Sequence, residues 1–347
     1  MPQPSASQTR QRQVLLPLTM QRPNQPNAQA QLHDLRGFTM GTTWQVQCYA
    51  DASIDADKLQ AGIQAELDQV VAQMSPWEVD SDISRFNRAP ANTWQVLPKE
   101  FFKVLQHSLF VAEQTQGAYD PCIGDLANLW GFGPQGKISV VPNSTKIEQV
   151  MRGSNWHQLK LNPDNDSALQ TGTLEIDLCS TAKGFGVDQV ARYLQKMAID
   201  SFLVEVGGEL RGLGCKSNGQ PWWVHLEQLT EQADCADCAD YVAALHGLSI
   251  ATSGDYRRYF MHDGKRYSHT IDPRTGYPVQ HGVASVTVLH PECMIADALA
   301  TAMTVLGIEA GMDYANRLHV AARIIVREEN RFQEYLSPTF LAMMHDD

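Results

Sequence analysis

Strand-patterned and helix-patterned segments follow one another irregularly along this 347-residue chain. Phe38 to Tyr49 reads as a strand, with order beginning near Gly37. Two helices follow in pattern, Asp55 to Met74 and Lys99 to Gln114, their apolar residues spaced by three and four. Residues 128–145 are rich in Gly and Pro and read as loop. Leu174 to Leu178 reads as a short strand, then a helix from about Ala182 to Met197, then a buried strand, Phe202 to Val206, ending at Gly207-Gly208. The last third gives a strand at Val283–Leu289, a helix at Ile295–Leu306 and a strand at Ala321–Val326. A regular βαβ alternation would predict a doubly wound parallel sheet. This order predicts a mixed α+β fold, largely antiparallel, with helices packed on the sheet. No internal repeat is visible.

Residues 1–36 are rich in Gln, Pro and Ser and are expected to form a disordered polar tail, leaving 37–347 as the folded domain. The net charge of −12 argues against a nucleic-acid surface, which needs a basic stripe. It leaves room for an anionic ligand held by backbone amides or a metal. No apolar run reaches the roughly 20 residues of a membrane helix. Val14-Leu15-Leu16-Pro17-Leu18 is too short for a signal-peptide core, so the chain reads as non-exported, and a periplasmic location would require a leader already removed. The seven cysteines are scattered and odd in number, which suggests no disulfide framework. Cys235-Ala236-Asp237-Cys238 lacks a second ligand pair and reads as surface thiols in an insertion.

Several segments carry chemistry. Ser268 to Pro278 places an imidazole, a carboxylate and a guanidinium in one short stretch that also carries two prolines and a glycine, as a reaction site on a stiff loop would. Asp177 to Asp188 runs from strand end to helix start. Its small residues leave helix N–H groups open to phosphate, with Lys183 adding charge; the alternative is an ordinary cap by Ser180 or Thr181. Val206-Gly207-Gly208-Glu209 permits close approach to a ligand, or is a tight turn. Asp297 and Thr301 share one helix face and suit Mg²⁺, or Asp297 is a helix-start acid. Trp77, in Met74-Ser75-Pro76-Trp77, stacks on a planar ring or lies in the core.

Taken in order, these segments resemble the ApbE family of FAD:protein FMN transferases over about residues 36–345. The match includes Phe38-Thr39-Met40-Gly41-Thr42-Thr43, Met74–Asn87, Asp120–Pro134, Ala251–Tyr256 and Leu336-Ser337-Pro338. The resemblance implies a T-fold-like architecture with two closely joined subdomains. It implies Mg²⁺-dependent transfer of FMN from FAD to a threonine of an acceptor flavoprotein, with release of AMP. It places the metal on Asp297, Thr301 and the Ala182 carbonyl. Met40, Trp77, Asp120, Lys183 and the backbone around Ile271 would hold FAD. His269 would take the acceptor proton, Lys183 would face the diphosphate, and Asp272 with Arg274 would brace the loop. Ala300 stands where some members carry a second carboxylate. The competing readings are a Mg²⁺-dependent FAD pyrophosphatase and a non-catalytic FAD-binding protein.

Overall fold

A computed structural model describes residues 12–19, 22–23, 25–138, 140–228, 239–255, 259–328 and 331–345. The Cys235–Cys238 motif and Tyr256 lie outside the described residues.

In chain order the elements begin with β1 (Arg12–Leu15), β2 (Gln31–Thr39), β3 (Thr42–Ala50), α1 (Ala56–Met74), α2 (Asp82–Asn87) and β4 (Thr93–Val96). Next come α3 (Lys99–Gln114), α4 (Gly124–Leu129), α5 (Ser144–Gly153), β5 (Lys160–Asn162), β6 (Ser167–Gln170) and α6 (Ala182–Lys196). Then follow β7 (Phe202–Val206), β8 (Glu209–Leu213), β9 (Trp222–His225), β10 (Asp240–Leu245), β11 (Leu248–Gly254), β12 (Tyr259–His262) and β13 (Lys265–Ser268). The chain closes with β14 (Ile271–Asp272), β15 (Tyr277–Pro278), β16 (Val283–His290), α7 (Cys293–Leu306), α8 (Ile308–Arg317), β17 (Ala321–Glu328), β18 (Arg331–Leu336), α9 (Pro338–Ala342) and β19 (Met344–His345).

Eight strands form the central sheet in the order β18-β17-β16-β11-β8-β7-β3-β2. Every pairing in it is antiparallel. The expected α+β class is therefore the observed one. Helices cover the sheet in two blocks. One core joins α1 and α6 to β3 and β7 through Leu59, Ile63, Leu67, Val190, Leu194 and Val204. The other joins α7 and α8 to β16 and β17 through Leu299, Met303, Tyr314, Val286 and Ile324. The two blocks meet where α6 packs on α7, which is where the site lies. No helix among the described residues is long and apolar enough to cross a membrane.

Three expectations need correction. The single strand expected at Phe38–Tyr49 is two strands of a hairpin. Met40 and Gly41 form its two-residue turn, both at positive φ (49° and 71°), the geometry that matches strand twist. The polar tail is not structureless throughout. Residues 31–36 open β2, and β1 inserts between β10, in parallel, and β19, burying Leu15 completely. Composition could not reveal β1, because its pairing partners lie more than 200 residues away. Finally, Leu174–Leu178 is no ladder strand. The Asn87 amide donates to the Ile176 carbonyl (3.0 Å) and its oxygen accepts from the Ile176 N–H (2.9 Å). Pro121 accepts from Asp177 N–H and Glu175 from Gly124 N–H, both at 2.9 Å. A side chain and a turn thus satisfy the backbone in place of a strand.

Candidate active site

The N-termini of α6 and α7 face one another, and each is capped by a carboxylate from the other. Thr181 precedes α6 but gives it no side-chain cap. Its hydroxyl donates to the Met294 carbonyl (3.2 Å), and the Ser180 hydroxyl donates to Tyr119 (3.0 Å). Neither is the ordinary cap that the sequence allowed. Instead Asp297 of α7 accepts the Gly184 N–H at 3.0 Å. Gly184 makes this approach possible. A Cβ there would lie 2.4 Å from the Cys293 carbonyl oxygen and 2.9 Å from the Asp297 Cβ. In return, Asp188 of α6 accepts from Cys293 N–H (3.1 Å) and Met294 N–H (3.0 Å) at the start of α7.

Lys183 stands at this junction. Its ammonium pairs with Glu209 and lies 3.9 Å from the Asp297 carboxylate. Glu209 is 1% exposed. It opens β8 directly after Gly207-Gly208, whose positive φ values (61° and 103°) make the tight turn between β7 and β8. Those glycines thus serve the turn, and the turn delivers the carboxylate. Glu209 was not singled out from the sequence. Its partner is 26 residues away on another element, and only the charged residue after a buried strand and paired glycines hints at it.

Above the junction, Tyr119 accepts from Ser180 and lies 3.4 Å from the Ser108 hydroxyl. Burial pushes its phenol well above the usual range, and the charges of Asp297 and Asp177 add to this. Tyr119 is therefore neutral and stays a hydrogen-bonding group. The neighbouring Asp120 uses both oxygens, accepting from Cys122 N–H (2.8 Å) and Trp156 N–H (3.2 Å). Burial raises its pKa to about 6 despite those bonds. In this structure Asp120 shapes the turn after α3. Met40, in the β2–β3 turn, reaches α6: a Cβ on Gly186 would come 3.1 Å from the Met40 Cε.

Two hard oxygen donors lie four residues apart on α7 here. Asp297 offers a carboxylate, and Thr301 a hydroxyl one helical turn on. This suits Mg²⁺, which takes few protein ligands and keeps several waters. Ala182 would contribute through its backbone carbonyl. It is the first residue of α6, so its carbonyl belongs to the helical ladder and could reach a metal only as a shared acceptor. No cluster of three His, Cys, Asp or Glu side chains with metal-site geometry occurs among the described residues.

The other expected residues sit on separate elements. Trp77 is 48% exposed in the turn after α1, which rules out a core role. His269 is partly buried and meets Phe132 edge-on, with ring centroids 6.3 Å apart. Beyond it, β14 and β15 enclose a tight turn. Asp272 binds the Arg274 guanidinium through both oxygens (2.9 and 2.8 Å) and also accepts Arg274 N–H at 2.9 Å. That carboxylate braces the loop and raises the Arg274 pKa. Ile271 is buried beside Leu126, Trp130 and Ile147, so only its backbone can face a ligand. The Trp130 indole donates to the Gly276 carbonyl at 2.8 Å, pinning the loop to α4. A cleft of about 730 Å³ lined by Leu213, His246, His290, His319 and Met343 contains none of these residues and lies at the opposite end of β8 from Glu209.

This is the architecture of a flavin-transferring enzyme. The ApbE family model matches residues 40–324, and the chain belongs to the ApbE family. It is 38% identical over 312 residues to a FAD:protein FMN transferase of Haemophilus influenzae, covering 88% of this chain and 90% of the relative. A FAD:protein FMN transferase of Vibrio cholerae is also 38% identical, over 315 residues, covering 89% and 92%. Among solved structures, the flavinyl transferase ApbE of Pseudomonas stutzeri in its apo form superposes with a TM-score of 0.83 at 34% identity, covering 91% of this chain and 97% of that one. The flavin transferase ApbE of Vibrio cholerae gives 0.83 at 36% identity, covering 90% and 99%.

Proposed function

We propose that this transferase uses Mg²⁺ to move FMN from FAD onto a threonine hydroxyl of an acceptor flavoprotein, releasing AMP. The reciprocal helix N-termini around Lys183, Asp297 and Glu209 carry this reading. The α6 dipole and an ammonium favour a diphosphate, and the carboxylates favour the cation that accompanies it. Phosphoryl transfer asks for such charge placement more than for covalent catalysis.

In this scheme Asp297 and Thr301 hold the metal, and the Ala182 carbonyl contributes as a shared acceptor. When bound, Mg²⁺ supplies charge neutralisation on the diphosphate. Lys183 faces the phosphate oxygens, with Glu209 fixing its position. Trp77 is exposed enough to stack on a ring of FAD, and Met40 and the Ile271 backbone line the cleft. His269 takes the proton of the incoming threonine hydroxyl. The new bond joins that oxygen to the FMN phosphorus. The bond that breaks joins the same phosphorus to the bridging oxygen, which leaves with AMP.

The test combines the protein, FAD and Mg²⁺ with an acceptor domain bearing a candidate threonine, and with its Thr→Val variant. A Mg²⁺-dependent mass gain of one FMN residue on the first acceptor alone is expected. AMP and free FMN in equal yield with either acceptor would make the protein a pyrophosphatase. FAD left intact under all conditions would leave a binding protein.

A further inference from the structure

Asp188 is 1% exposed, halfway along α6, and holds the first two amides of α7. Glu292, the N-cap residue of α7, makes no side-chain cap bond, so among the described residues Asp188 is the side chain that caps this helix. Arg211 of β8 pairs with the same carboxylate and ties it to the central sheet. Glu209, two residues earlier on β8, holds Lys183. One strand therefore anchors both a cation of the site and the cap of α7.

The consequence is geometric. Asp297 lies four residues after Cys293, little more than one turn into the helix. Its Cα, and with it the reach of its carboxylate, moves with α7. A shift of α7 breaks the Asp188 bonds at one end of the junction and the Gly184–Asp297 bond at the other. The Cys293 carbonyl also sits where a side chain at position 184 would be, which leaves the two helices little free space. Thr301 moves with the same helix.

We infer that Asp188 is a positioning residue of the transferase. By capping α7 it fixes where Asp297 and Thr301 present their oxygens, and so sets the affinity for a divalent cation. This rests on the proposed metal reading. Outer partners of metal ligands commonly change metal affinity by tenfold or more when altered.

Asp188→Asn tests it. Its side-chain oxygen can keep the Cys293 N–H and Arg211, which share one carboxylate oxygen, while its NH₂ meets the Met294 N–H as donor against donor. Arg211→Gln is the milder companion, leaving the carboxylate on the helix but removing its counter-charge. Mg²⁺ is titrated twice, by the shift in Tm without FAD and by the rate of FMN transfer. For Asp188→Asn the half-saturating Mg²⁺ should rise about tenfold in both, with kcat at saturating Mg²⁺ within about twofold and metal-free FAD affinity unchanged. For Arg211→Gln the rise should be about threefold. A purely structural role would lower Tm and leave the Mg²⁺ midpoint where it was. An unmoved midpoint in Asp188→Asn, or in Arg211→Gln should the first variant not fold, overturns the inference. Transfer by the wild type without Mg²⁺, together with no Mg²⁺-induced shift in Tm, would overturn the metal reading itself before any variant is compared.

Discussion

The α6–α7 junction and the His269–Pro278 loop hold their functional groups by different means. At the junction, buried carboxylates on packed helices are locked by backbone amides of the facing helix. In the loop, a short hairpin is braced by the Asp272–Arg274 pair, which is partly open to solvent, and by one indole bond from Trp130. The junction is part of the core, so a change there disturbs both packing and chemistry. The loop is fastened at a few points, so a change there should alter chemistry with less effect on the rest. This division suits the proposed reaction: the diphosphate side needs fixed charge, and the acceptor side must admit another protein.

The largest effect is expected at the junction. Asp297→Ala should cut Mg²⁺-dependent FMN transfer by on the order of a thousandfold and abolish the Mg²⁺-induced rise in Tm. It also leaves the Gly184 N–H without its acceptor, costing roughly 1–2 kcal/mol of stability. Full activity in a steady-state transfer assay would remove Asp297 from the metal site.

A smaller effect is expected in the loop. Trp130→Phe removes the bond to Gly276 while keeping an aromatic ring against Tyr267, now 5.6 Å away between centroids. Transfer should slow about fivefold, at a stability cost of about 1–2 kcal/mol and with no change in the Mg²⁺ midpoint. A moved midpoint would mean that the loop and the junction are one unit.

The smallest effect lies beside both regions and concerns stability alone. Burial, and then the charge of Asp125, raise the pKa of Glu175 from 4.5 to about 7. The folded state therefore binds a proton that the unfolded state has lost between about pH 4.5 and 7, and stability falls as pH rises through that window. Glu175→Gln should stabilise the protein at pH 8 by roughly 1–2 kcal/mol, allowing for its partial exposure, with the gain vanishing below about pH 4.5. Urea unfolding at three pH values would reveal it. Equal curves for variant and wild type would mean that Glu175 titrates as in the unfolded chain.

The same contrast explains what was legible in the sequence. Lys183, Asp297 and the stiffness of the Ser268–Pro278 loop could be read because their signals are local: a helix start, an i, i+4 pair, two prolines and a glycine. Glu209 and the capping role of Asp188 could not, because each is defined by a partner on another element. The hairpin turn at Met40-Gly41 was hidden because Met rarely takes positive φ. Strand β1 was hidden because a short polar segment gains its order only from distant partners. Asn87 mattered in a way no propensity reports, replacing a neighbouring strand for the Ile176 backbone.

The most direct measurement compares His269→Ala with wild type in two readouts, FMN mass gained by the acceptor and the Mg²⁺-induced shift in Tm. Transfer should fall about a hundredfold or more, as loss of a general base does, while the Tm shift keeps its midpoint and size. Loss of both together would contradict a site whose metal half and acceptor half are held independently.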